Sequence, residues 1–218
     1  MIISVNIDVD SALFYGLIFT VTLLIFYVCF DLNYFLTNMF LITWCKIRRK
    51  RVKIDETTEY YGVCTTNDLD IYFQHMNNAR YIRELDFARF HFYQRTGIYE
   101  ILLKSDGLVL QTACHVRYRR TIPFLTPYKI TTKVIYWDEK NIYLEHQFVT
   151  LSDGFITTVI LCKQAILGVN VIEMMNKLLE QKNDENYKPE PPPELEDWIH
   201  LNKKSSARLR NGNRCGNF

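Results

Sequence analysis

The sequence predicts an α+β fold, in which one antiparallel sheet wraps around a long central helix and an N-terminal membrane helix precedes the domain. Three observations carry this. An uncharged run fills residues 11–30, a segment of helical hydrophobic period follows one short strand-like run, and four further strand-like runs come after it. With 218 residues, 48% of them hydrophobic, the chain can build one such core plus appendages.

Residues 1–10 form an acidic tip with Asp8 and Asp10. The run 11–30, SALFYGLIFTVTLLIFYVCF, then carries no charge, and about 20 apolar residues is what a helix needs to cross a bilayer. It reads as a signal-anchor. A cleaved signal peptide is the alternative, but the run lacks a basic n-region and a small-x-small cleavage site. Residues 31–57 follow as an interfacial and basic linker, with Phe40 and Trp44 before Lys46, Arg48, Arg49, Lys50, Arg51 and Lys53. This Lys/Arg asymmetry places the C-terminal side in the cytosol, and the same bases suit anionic lipid headgroups. The expected address is a single-pass protein of an internal membrane, the endoplasmic reticulum, with a cytosolic domain. Secretion after cleavage is the alternative address.

The folded domain is expected over 58–170. A strand at 60–66 leads into an Asp-rich loop at 68–74, and a helix begins at the N-cap pair Asn77 and Asn78 and stops at Gly97. Its apolar stripe is Ile82, Leu85, Ala88 and Phe92, widened by Phe90 and Tyr93. Strands at 108–120, 128–137, 142–151 and 155–167 are joined in the later links by turn residues at 138–141 and 152–154, as in a four-strand meander. In the third of them Ile142, Leu144, His146 and Phe148 form a drier face than Tyr143, Glu145, Gln147 and Val149. Residues 171–210 supply a helix over 172–183, a stiff Pro-rich linker at 188–193, and a last helix with Leu195, Trp198 and Ile199 on its apolar side. A polar tail fills 211–218.

Composition excludes several function classes. A net charge of +2 is too balanced for a nucleic-acid binder. The six cysteines, at 29, 45, 64, 114, 162 and 215, form no CxxC pair and no metal spacing. They read as free thiols in a reducing compartment, and neither a metal nor a cofactor is expected.

The chemistry concentrates in DLDIYFQHMNNARYIRELDFAR, residues 68–89. The order Asp68-x-Asp70, then His75-x-Asn77-Asn78-x-x-Tyr81, between a first strand and a long helix, resembles the DxD…HxNNxxY signature of hot-dog-fold thioesterases. These are the 4-hydroxybenzoyl-CoA thioesterase type and the plant acyl-carrier-protein thioesterases. The resemblance implies a hot-dog fold, a homodimer or dimer of dimers, and sites for acyl-CoA or another acyl thioester at the subunit interface.

Thioester hydrolysis needs a nucleophile or a base, and the matching carboxylate is Asp70. His75 and Asn77 would orient the loop or the thioester carbonyl, and the first amides of the helix, at Asn78 and Ala79, would face the oxyanion. Asp86 and Glu84 are possible secondary acids, or else ion-pair partners of Arg89 and Arg80. Arg117, Arg119 and Arg120 either meet substrate phosphates or form a solvated strand face. Asp68 and Asp70 also fit a reading as turn and cap residues.

One departure stands out. Four residues, Ile71 to Gln74, separate Asp70 from His75 where many hydrolases have three with a glycine, and a misplacement of about 1 Å is enough to impair a carboxylate. The functional expectation is a membrane-anchored acyl-CoA thioesterase-like protein. The alternative is an inactive acyl-binding or scaffold protein of the same fold.

Overall fold

The computed structural model describes residues 9–48, 51–180 and 189–214. Asp8, Arg49, Lys50, the end of the expected 172–183 helix, Lys188 and the last four residues lie outside the described residues, as do the side chains of Asp10, Lys46 and Arg48. The chain divides into two compact units, residues 1–48 and 49–218.

In the first unit, α1 (Val9–Cys29) and α2 (Leu32–Arg48) are separate helices. The break falls at Asp31, whose carboxylate accepts the Tyr34 N–H at 3.1 Å and so caps the start of α2. Among the described residues no single helix is long and apolar enough to cross a membrane, which differs from the single span expected at 11–30. Ser11–Tyr27 and Leu32–Cys45 meet the length and composition test together, across a 75° bend.

The second unit is built on β1 (Thr58–Val63), α3 (Asn78–Thr96), β2 (Leu108–Tyr118), β3 (Pro127–Trp137), β4 (Asn141–Thr150) and β5 (Ile156–Leu167). A short helix α4 (Ile98–Lys104), which the sequence reading passed over, links α3 to β2. Gly97 ends α3 with φ 92, the left-handed conformation that glycine takes without strain. The five strands form one antiparallel sheet in the order β1-β3-β4-β5-β2. Only β3, β4 and β5 are a meander. The expectation of a four-strand meander is therefore corrected: β2 passes β3 and pairs with the far side of β5, where Cys114 lies opposite Cys162. The loop 119–126 is long enough for that crossing, whereas the hairpin turns at 138–141 and 152–154 hold their strands adjacent.

Helix α3 lies across the inner face of the sheet. Tyr81, Leu85, Ala88 and Phe92 are buried at its contact, with Ile130, Leu144, Phe148, Ile160 and Cys162 beneath. The stripe is rotated from the expected one, since Tyr81 and Phe87 are buried while Ile82 and Phe90 are only half-buried. Helix α5 (Val171–Glu180) closes the core with Val171, Met174, Met175 and Leu178.

Helix α6 (Pro193–Arg214) takes the opposite face. Leu195 is fully buried, and the Trp198 ring lies 6.5 Å from both Tyr143 and His115. This is why Tyr143, read from alternation as a wetter position of β4, is buried. Alternation reports the two faces of a strand, not whether a later helix covers one.

Candidate functional site

The loop between β1 and α3 is held by Asp68. Its carboxylate is buried and accepts four bonds, from Thr65 N and Oγ1 at 2.8 Å each and from Arg80 Nε and Nη2 at 3.1 and 2.9 Å. Its carbonyl accepts the Asn77 N–H at 2.7 Å. Asp68 thus fastens the loop to the first turn of α3 and also takes the Arg80 charge that helical spacing offered to Glu84.

From Leu69 to Met76 the chain makes a small hairpin, bridged at Leu69–Met76 and joined to Pro123 through His75. Asp70 organises its turn. The Asp70 carboxylate accepts the amides of Gln74 at 3.0 Å and His75 at 3.4 Å, and its own N–H donates to the His75 carbonyl. A little burial would raise its pKa, but these amide bonds outweigh that and hold the carboxyl below the ordinary range. Ile71, Tyr72 and Phe73 form the tip, at least 73% exposed, and Phe73 is held at φ 56. The longer loop is therefore a projecting apolar turn.

Asn77 is the N-cap of α3, as expected. Its side chain accepts the Ala79 N–H at 2.9 Å and its carbonyl accepts the Arg80 N–H at 2.9 Å. Ala79 is thereby committed to the cap, and the Asn78 N–H is left as the first-turn amide with no acceptor among the described residues. His75 is half-buried, with Nδ1 3.1 Å from the Met76 carbonyl; since a carbonyl only accepts, Nδ1 carries the proton.

A groove of about 230 Å³ opens beside this helix end. Met76 and Tyr81 line it from the hairpin and α3, together with Asn78. Tyr118, Arg119, Arg120 and Thr121 line it from the end of β2. The Tyr118 hydroxyl donates to the Asn78 carbonyl at 2.8 Å, tying β2 to the helix start. His75 and Asn77 adjoin Met76 and Asn78 in sequence, but neither they nor Asp70 line the groove.

The arginines divide by role. Arg120 forms a two-pronged pair with Asp153, at 2.7 and 3.0 Å, and donates to Thr150 Oγ1 at 2.7 Å. The Arg120 pair, with the Thr150 hydroxyl and the Phe155 N–H that also donate to Asp153, holds the Asp153 carboxyl well below the usual range. Arg119 donates to the Ile156 carbonyl at 3.0 Å, and both guanidiniums lie over the Phe155 ring. Arg117 is exposed on β2. Arg120 is thus already neutralised by Asp153 of the β4–β5 turn.

The two helix carboxylates also part company. Asp86 pairs with Arg89, the i,i+3 ion pair that spacing allowed. Glu84 turns inward instead and accepts the Tyr128 hydroxyl at 3.2 Å. Burial pushes the Glu84 carboxyl up to about 7, helped by the nearby Asp68 charge and opposed by Tyr128, Arg80 and Arg83. A Cβ on Gly62 would lie 2.7 Å from the Tyr128 ring, so the absence of a side chain there gives that hydroxyl its place. Sequence reasoning did not single out Tyr118 or Tyr128. Each sits at the end of a strand where only the sheet register brings it to α3. Among the described residues no three His, Cys, Asp or Glu side chains gather to hold a metal.

Residues 64–199 match the family model described as the thioesterase-like superfamily. The chain belongs to that superfamily. It is 50% identical over 190 residues to Protein THEM6 of Drosophila melanogaster, covering 87% of this chain and 96% of the relative. Two solved structures share the fold. YbaW, a probable thioesterase from Escherichia coli, superposes with a TM-score of 0.52 at 19% identity, over 56% of this chain and 96% of its own. SAV2348 from Staphylococcus aureus, solved in complex with CoA, gives a TM-score of 0.51 at 14% identity, over 67% and 96%. The hot-dog architecture expected from the 68–89 signature is thereby established for this chain.

Proposed function

We propose that this thioesterase-like chain hydrolyses acyl-CoA or a related acyl thioester. The observation that carries the reading is the groove at the start of α3, lined by Asn78, whose first-turn amide has no acceptor among the described residues. A helix N-terminus favours developing negative charge, as on a thioester oxygen in the transition state. Asp70, held ionised in the hairpin that leads into this helix, is the carboxylate available to attack or to activate water. The CoA complex of the structural neighbour supports the same ligand class.

Ala79 and Asn77 act through the cap, His75 positions the Asp70 turn, and Arg117 and Arg119 are the bases offered to phosphate. The site would be completed in a homodimer, because the β2 edge is unpaired among the described strands and the groove lies at its end. The first unit would hold the domain on the cytosolic side of an internal membrane, a reading supported by its uncharged 11–30 run and the bases that follow it.

An assay of the full-length chain on a panel of acyl-CoA esters tests the activity. Turnover that disappears in Asp70→Asn is expected, and no turnover on any ester would overturn it. Protease digestion of intact microsomes tests the orientation, since a C-terminal tag should be cleaved.

One observation favours a second reading, an acyl-binding or scaffold protein without hydrolysis. The Asp70 carboxylate is engaged by its own turn and does not line the groove. Thermal stabilisation by acyl-CoA without turnover would select that reading.

A further inference from the structure

Helix α6 carries its charges in two blocks. Glu194, Glu196 and Asp197 lie at its start, where a helix favours acids, and no Asp or Glu follows them to the end of the chain. Lys203, Lys204, Arg208 and Arg210 come next. The covered positions of α6 are Leu195, Trp198, Ile199, Asn202 and Ser205, which fall on one helical stripe and hold Trp198 against Tyr143 and His115. At about 100° per residue, the four bases fall on the side away from that stripe. All four are exposed, and none forms an ion pair among the described residues. An ordinary solvated face intersperses both signs, whereas this one holds a single sign. Bases near a helix C-terminus also suit its dipole, but that effect fades beyond the last turn. Because α6 runs to Arg214, Lys203 and Lys204 lie well before its end and the dipole does not account for them.

We propose that this outward face of α6 docks onto a bilayer surface rich in anionic headgroups, a membrane contact separate from the one read from the 11–30 run. Charge complementarity names the occupant. A cluster of about four or more Lys and Arg on an amphipathic helix is what an anionic lipid surface attracts, each base adding to the binding. Single-stranded nucleic acid would meet the same charges, but its binders add rings on which bases stack. The exposed positions beside these bases, His200 and Ala207, supply no Phe, Tyr or Trp. The face also stays open when a partner completes the groove. A second copy paired antiparallel at the β2 edge extends the same sheet and leaves α6 of both copies on its outer side, so that the two basic faces point the same way and add. The contact is independent of the acyl-thioester reading.

The test uses the full-length chain in nanodiscs of phosphatidylcholine alone or mixed with phosphatidylserine. It reads the acetylation rates of Lys203 and Lys204 by mass spectrometry, with the exposed turn residue Lys140 as reference. In anionic discs Lys203 and Lys204 should react about fivefold or more slowly than in neutral ones while Lys140 is unchanged, and added salt should remove the protection. Arg208→Glu combined with Arg210→Glu should abolish it in a chain that circular dichroism shows to be folded. Equal rates in the two discs would overturn the proposal, as would equal slowing of all three lysines or protection that persists in the folded double variant. Protection by an RNA oligonucleotide in neutral discs, but not by anionic lipid, would assign the face to nucleic acid instead. Vesicle flotation separates the two membrane contacts. A chain that floats only with anionic vesicles would support the α6 contact while removing the 11–30 anchor, and a chain that floats with neither would remove both.

Discussion

Asp70 and Glu84 are carboxylates on neighbouring segments that the fold drives in opposite directions. Asp70 sits in a projecting turn where two backbone amides stabilise its charge. Glu84 points inward between α3 and β3, where burial raises its pKa to about 7 and Tyr128 is its hydrogen-bond donor. The difference teaches that charge in this region is assigned by backbone and burial, not by sequence distance. An ionised carboxylate suits a base or nucleophile, whereas a carboxyl poised near neutrality suits an acid or a switchable hydrogen-bond donor.

The contrast is most severely tested by Asp70→Asn. If Asp70 is the working carboxylate, acyl-CoA turnover should fall by about 10²–10⁴-fold. Stability should change little, because an amide oxygen can still accept the Gln74 and His75 N–H bonds. A large loss of stability with unchanged turnover would make Asp70 only a turn residue.

Glu84→Gln should give the next largest effect. Because the folded pKa of Glu84 is raised, its favourable contribution is complete below the unfolded value of 4.5 and is lost as pH rises toward 7. The variant should therefore match the wild type near pH 4.5 and exceed its stability above pH 7 by on the order of 3 kcal/mol. Denaturant unfolding at a series of pH values measures this, and parallel wild-type and variant curves would contradict the buried placement.

His146 gives the opposite sign. It is fully buried, with Nδ1 2.9 Å from Thr132 Oγ1, and its pKa is pushed down to about 3 by burial and then by Arg89. Its contribution is complete above about 6.5 and is lost as pH falls toward 3. A His146→Gln variant should flatten the acid limb of the unfolding curve while leaving the alkaline limb alone.

The smallest effect is expected from Tyr128→Phe, about 1 kcal/mol for one hydrogen bond. Since the Tyr128 hydroxyl lowers the Glu84 pKa, its removal should move the Glu84 transition to higher pH. Carboxyl NMR titration measures this, and an unchanged Glu84 titration in the variant would show that the pair is not formed.

Much of the scaffold was legible before the structure. Asn77 as a cap, Gly97 as a stop and the hairpins at 138–141 and 152–154 follow from local backbone rules that need no partner. The same locality made the DxD…HxNNxxY segment recognisable, and with it the fold. The other partnerships were not legible because each joins elements that only the tertiary fold brings together. Asp68 takes Arg80, β2 reaches β5, Tyr118 meets Asn78, Tyr128 meets Glu84, and Trp198 covers Tyr143.

By itself, then, the sequence determined the strands, the central helix with its caps, and the family, since these are fixed by propensity and short-range hydrogen bonding. The tertiary structure alone decided which carboxylate is drawn inward and which side chains line the groove. Both depend on which side chains are taken out of water together, and no local pattern encodes that.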